Sequence, residues 1–174
     1  MSINLHFTGD DWARLERDWT AWWNHDLPRA LIMRERVDPP APGAPPYPHR
    51  ESASFPLDMP VDDVLDCYQR ELEATHWEGD MVPKWWPNFG PGIMAGFLGA
   101  NVHWTRDTVW FDVDASPPLR DLPPVLTPHE REANRWWRRV RDLTQRAVER
   151  WRSSPTIPST ARLPRLPAAR TSAG

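Results

Sequence analysis

Apolar residues recur at helical spacing in three stretches of the chain. From Asp10 to His25, Trp12, Leu15, Trp19 and Trp22 form one stripe, the three-and-four repeat of an amphipathic helix. Thr8 and Asp11 frame its start as a capping box, with the Asp11 carboxylate near the positive end of the helix. Pro28 ends it. A second helix opens at Pro60 and places Val61, Val64, Leu65, Tyr68 and Leu72 on one face. Cys67 lies beside that face and reads as packed rather than reactive. The clearest helix follows Thr127-Pro128-His129-Glu130, which supplies an N-cap, a proline at the first helical position and a capping-box glutamate. Its buried stripe is Ala133, Trp136, Val140, Leu143, Ala147 and Trp151, so the pattern predicts one helix running to Trp151.

Shorter apolar runs predict strands. Ala30–Met33 reads as a first buried strand, and Val102–Thr105 and Thr108–Phe111 as a hairpin around Arg106-Asp107. Gly90-Pro91-Gly92 starts a short helix of small residues that Gly99 closes in a left-handed conformation, and these glycines permit close backbone approach. Two proline-rich stretches, 38–60 and 114–128, read as extended surface loops. The first is also open to reading as a ligand for a proline-recognising domain. Residues 152–174 hold four arginines, four prolines and no carboxylate side chain, which predicts a disordered tail.

Composition sharpens this picture in two places. Twelve tryptophans stand against two tyrosines and five phenylalanines. Indole rings bury large areas but need an acceptor for the N–H, so they favour clefts, wet edges and interfaces. The pairs Trp22-Trp23, Trp85-Trp86 and Trp136-Trp137 each predict one ring turned inward, with Trp85 and Trp86 in a loop where they can line a pocket. A single cysteine excludes an intramolecular disulfide and suits a reducing cytosol. The net charge of −3 gives no general affinity for nucleic acid or anionic membrane. No signal peptide or membrane-length apolar run is visible, which predicts a cytoplasmic protein.

Candidate chemistry is sparse. The six histidines are scattered, and none pairs at the spacing of a metal-binding helix or finger, so no metal and no cofactor is expected. Eight arginines lie between Arg131 and Arg152, mostly between the buried positions, and read as a solvated helix face rather than a phosphate-binding one. Gly90 and Gly92 can present backbone N–H groups to an anion, although Pro91 removes one donor. Asp107, Asp112 and Asp114 are acids near a strand end.

The segments Asn88–Gly99, Asp107–Phe111 and Asn134–Trp137, in that order, resemble the uroporphyrinogen decarboxylase superfamily. They are similar to its decarboxylase-like branch near the corrinoid-linked methyltransferases, and Trp22-Trp23 and Arg29–Ile32 fit that branch too. The resemblance spans roughly residues 10 to 150. It implies an α/β fold, the N-terminal portion of a (β/α)8 TIM barrel over residues 1–151. Such a barrel typically needs about 250 residues, so residues 152–174 would be a tail that replaces the second half through a frameshift or truncation. The family's activities imply a small-molecule carboxylate substrate for the full-length form, with decarboxylation or methyl transfer as the reaction. The arginine-rich signature of true uroporphyrinogen decarboxylases is absent, and the methyltransferase zinc ligands would lie in the missing half. Asn88, Gly90, Gly92, Trp110 and Asp112 are then the candidate substrate contacts, without an identifiable catalytic residue, and the chain alone is expected to be inactive. The alternative is a short non-catalytic binding or assembly protein that completes its fold with a second copy or a complementing chain.

Overall fold

A computed structural model describes residues 3–112 and 127–152. The described residues form α1 (Gly9–Trp23), β1 (Met33–Val37), a 3-10 turn (Ser52–Ser54), α2 (Val61–Glu73), β2 (Thr75–Gly79), α3 (Ile93–Phe97), β3 (Asn101–Trp104), β4 (Val109–Asp112), α4 (Pro128–Ala133) and α5 (Arg135–Trp151). The expected loop over 114–128, all but its last two residues, and the expected tail beyond Arg152 lie outside the described residues.

The strands overturn the barrel. They form two separate antiparallel pairs, β1 with β2 and β3 with β4, so no (β/α) barrel pattern is present among the described residues. The reason is local at the second pair. Only Arg106 and Asp107 separate Thr105 from Thr108, whose N–H and carbonyl bond at 2.9 Å. A turn of that length enforces antiparallel pairing, whereas parallel strands need a crossover of a dozen residues or more.

The first pair also corrects a detail. The strand begins at Met33 rather than ending there, and all five residues of β1 are exposed. Its alternate positions are charged: Arg34 and Arg36 both pair with Glu78 across the ladder, at 3.3 and 3.1 Å. Arg34 and Arg36 are exposed, so charge there is solvated rather than buried.

Helix starts follow the sequence closely. Thr8 caps α1 and Thr127 caps α4, each with the reciprocal bonds of a capping box. The predicted single C-terminal helix is instead two, broken at Asn134, whose extended backbone ends α4 and caps α5. The Asn134 Oδ1 accepts the N–H groups of Trp136 and Trp137, at 2.9 and 3.0 Å. Its amide Nδ2 donates to the carbonyls of Gly96 and Phe97, at 3.0 and 3.1 Å. One side chain thus ties the end of α3 to the start of α5.

The core is one cluster. α2 contributes Val64, Leu65, Tyr68 and Leu72, and α5 contributes Trp136, Leu143, Ala147 and Trp151. Phe89, Phe97, Val102 and Val109 close it from the hairpin side, while Ile3, Leu5 and Phe7 enter from the N-terminal segment. Ala133 is exposed and drops out of the expected stripe. Arg139, between Trp136 and Leu143 on the core face of α5, is buried and donates to the carbonyls of Met59 and Pro56, at 2.8 and 3.3 Å. Burial lowers the Arg139 pKa from its ordinary value, and the two carbonyls supply the acceptors that a buried guanidinium requires.

Candidate functional site

The five predicted contact residues gather around one hairpin, on both of its sides. Asn88 lies in the loop beneath it. Its backbone carbonyl accepts from the Ser52 N–H at 2.5 Å, and its Oδ1 accepts from the Gly90 N–H at 2.9 Å. Gly90 has φ of +83°, and a Cβ there would sit 3.1 Å from Val109 Cβ. At Gly92 an added Cβ would approach the Phe111 ring to 2.5 Å. The two glycines therefore let the loop press against β4. The Gly90 N–H is already satisfied by Asn88, so it is not free to receive an anion.

Trp110 and Asp112 stand on the other face. The ladder pairs His103 with Trp110 and Asn101 with Asp112, so these four side chains point away from the core, while Val102, Trp104, Val109 and Phe111 point toward it. The Asp112 carboxylate lies 3.4 Å from His103 Nδ1, and Trp110 is 55% exposed. A carboxylate, an imidazole and an indole thus share an open surface. Spacing alone did not single out His103; its cross-strand register with Trp110 is what brings it in. Asp107 sits in the exposed turn, apart from Asp112, and Asp114 lies outside the described residues.

Other polar groupings are structural. Asp80 is buried and takes both guanidinium nitrogens of Arg29, at 2.6 and 2.8 Å, and the Ile32 N–H at 2.8 Å. Hydrogen bonds from Arg29 hold its carboxyl below the usual carboxylate range. Trp19 Nε1 donates to the Asp80 carbonyl at 3.1 Å, so the clamp fastens α1 to the end of β2. Asp38 accepts from His76 at 2.7 Å, and His6 stacks on that ring. Tyr68 bonds Ser52 and the His49 carbonyl, both at 3.1 Å. Burial pushes its hydroxyl up to about 12, so it holds its proton and works as a fixed donor.

A cleft of about 60 Å³ opens between Ile3, Leu5, Leu72, Trp85 and Trp151, far below the ~300 Å³ at which ligand pockets begin. No cluster of three His, Cys, Asp or Glu side chains is placed to hold a metal ion. No helix is long and apolar enough to cross a membrane. The arginines of α5 are largely engaged: Arg146 and Arg150 pair with Asp62 and Asp66 of α2, and Arg141 with Glu132 and Asp142. They fasten two helices together rather than facing solvent alone.

What the surface does offer is apolar. Trp22 and Trp23 are both exposed, against the expectation of one inward ring, as are Ile32, Met33, Trp86 and Met94. Trp85 packs against the core and lines the small cleft, while its neighbour Trp86 is 70% exposed. The indole N–H groups of Trp77, Trp85 and Trp136 are buried without an acceptor among the described residues. Searches against family models, curated proteins and solved structures find no match to this chain.

Proposed function

We propose that this chain is a non-catalytic binding and assembly module whose exposed tryptophan surface is covered by a partner polypeptide. The observation that carries the reading is the set of large apolar side chains left in water: Trp22, Trp23, Trp86 and Trp110 are each at least 40% exposed. Isolated apolar residues on a surface are ordinary, but indole is the side chain most enriched where proteins meet. Among the described residues each ladder has only two strands, so the outer edges of β1 and β4 have no strand beside them and add backbone donors and acceptors for the same purpose.

The second reading is descent from a uroporphyrinogen-decarboxylase-like enzyme. It draws on the grouping of His103, Trp110 and Asp112 on one open face, an imidazole, an indole and a carboxylate that another segment would have to close over to make a site. Neither reading gives the isolated chain a complete site, so purified protein is expected to show no decarboxylase or methyltransferase turnover.

Sedimentation velocity on the purified full chain, with binding of an apolar fluorescent dye, separates the two. A stable oligomer or a stoichiometric co-purifying chain, with little dye bound, supports assembly. A monomer that binds dye strongly and carries no partner supports an enzyme fragment with an unfinished core.

A further inference from the structure

Of the two open ladders, one is built to repel a copy of itself and the other to accept one. The hydrogen bond from Asp80 N to Ile32 O extends the β1–β2 ladder. It fixes Ile32, Arg34 and Arg36 as the residues bonded to β2, leaving the N–H and C=O groups of Met33, Glu35 and Val37 on the outer edge. Two copies related by a two-fold axis through Glu35 would set Glu35 against Glu35 and Arg34 against Arg36, and an axis through Arg34 would set Arg34 against itself. Like charges directly opposite are destabilising, so β1 is a blunted edge.

β4 has the opposite character. The Thr105–Thr108 bond at 2.9 Å sets the phase of the hairpin: Trp110 and Asp112 bond inward to β3, and the backbone groups of Val109 and Phe111 point to the outer edge, where no strand lies among the described residues. A two-fold axis through Trp110 would place Val109 of each copy opposite Phe111 of the other, in positions that exchange both backbone hydrogen bonds. Trp110 would then face its own copy at a non-hydrogen-bonded site, where side chains approach closest and aromatic pairs stabilise most. Thr108 would meet Asp112, so no like charges oppose. The apolar residues of both copies would stay on the core side, and the outward-facing indoles would leave water together.

We infer that the partner covering this part of the surface is a second copy of the chain, paired antiparallel along β4 to make a continuous four-stranded sheet. The inference rests on the assembly reading and specifies its occupant. The interface is short, so the dimer is of the weak, reversible class.

The test is disulfide trapping in the full chain, in a Cys67→Ser background that removes the native thiol. Cα atoms at a non-hydrogen-bonded pair are about 4.5 Å apart, within the span a disulfide bridges. Trp110→Cys should therefore give a covalent dimer in a glutathione redox buffer, while Arg34→Cys, on β1, should stay largely monomeric. In the native-cysteine chain, Trp110→Lys places two cations on the axis and should weaken self-association at least roughly tenfold, with an unchanged circular dichroism spectrum showing that the fold persists. If the parent protein is oligomeric but Trp110→Cys does not cross-link and Trp110→Lys associates normally, the β4 pairing is wrong and the assembly reading survives. If the parent does not self-associate but binds a different chain, the inference also falls. If it is monomeric, dye-binding and partnerless, both fall.

Discussion

Replacing Asn134 with alanine removes the side chain that joins α3 to α5, and the structure sets the size of the loss. As the N-cap of α5, Asn134 satisfies the N–H groups of Trp136 and Trp137, and loss of such a cap costs about 1 kcal/mol. Its amide also donates to the carbonyls of Gly96 and Phe97, each bond being worth roughly 0.5–1.5 kcal/mol. Gly96 O keeps a second partner in the Gly99 N–H, so its share falls at the low end. Together Asn134→Ala should destabilise by roughly 2–3 kcal/mol. Serine retains the capping oxygen and loses the amide donors, so Asn134→Ser should cost about 1 kcal/mol. Urea denaturation followed by tryptophan fluorescence measures both, with an unchanged slope marking an effect on stability alone. An alanine variant within about 0.5 kcal/mol of the parent would refute the keystone role. A serine variant equal to the parent would show that the bonds to α3 contribute nothing.

Other substitutions probe the remaining joints. Gly92→Ala drives a methyl into the Phe111 ring and should destabilise by about 1–3 kcal/mol; adding Phe111→Leu should recover part of that loss, and a purely additive double variant would exclude the contact. Arg139→Met takes the guanidinium from the Met59 carbonyl, while the Pro56 carbonyl keeps the Met59 N–H, and should cost about 1–3 kcal/mol by denaturation midpoint. For Asp80, the folded carboxyl titrates below its ordinary value because Arg29 bonds it. The unfolded chain therefore takes up the proton first as pH falls below about 4, and the stabilisation present above that pH is lost through the folded pKa. Asp80→Asn should be less stable than the parent at neutral pH, with the gap closing below about pH 4. A pH-independent gap would show that the clamp acts by shape alone.

Local signals made much of the fold legible in the sequence. The caps at Thr8 and Thr127, the stripe of α2, the glycine turn at Gly90–Gly92 and the hairpin around Arg106-Asp107 each depend on residues close in the chain, and each appears where the pattern placed it. The pairing of β1 with β2 joins segments on either side of α2, and no short-range pattern encodes a contact of that span. The break at Asn134 was hidden because the apolar spacing from Ala133 to Trp136 continues the helical repeat across it. Burial of Arg139 was missed because charge reads as solvated until its acceptors are seen. Ile3, Leu5 and Phe7 do alternate, but over too few residues to stand out. The barrel expected from the family resemblance failed at a feature already in the sequence, the two-residue turn that leaves no room for a crossover. Of the candidate site, the glycines were legible as points of close approach, and the structure shows the approach is to Phe111 and Val109. Which tryptophans face water was not legible, because adjacent rings such as Trp22 and Trp23 differ only in what packs beside them.

Oxidative footprinting of the tryptophans, read residue by residue by mass spectrometry on the full chain, tests the assembly account most directly. In dilute solution Trp22, Trp23, Trp86 and Trp110 should label readily, and Trp136 and Trp151, which are buried, should not. At concentrations where the assembled species dominates, the account predicts that one or more of the exposed set, Trp110 first, becomes protected. Equal labelling of all four in the dilute and the concentrated protein would mean that nothing covers this surface, and would contradict it.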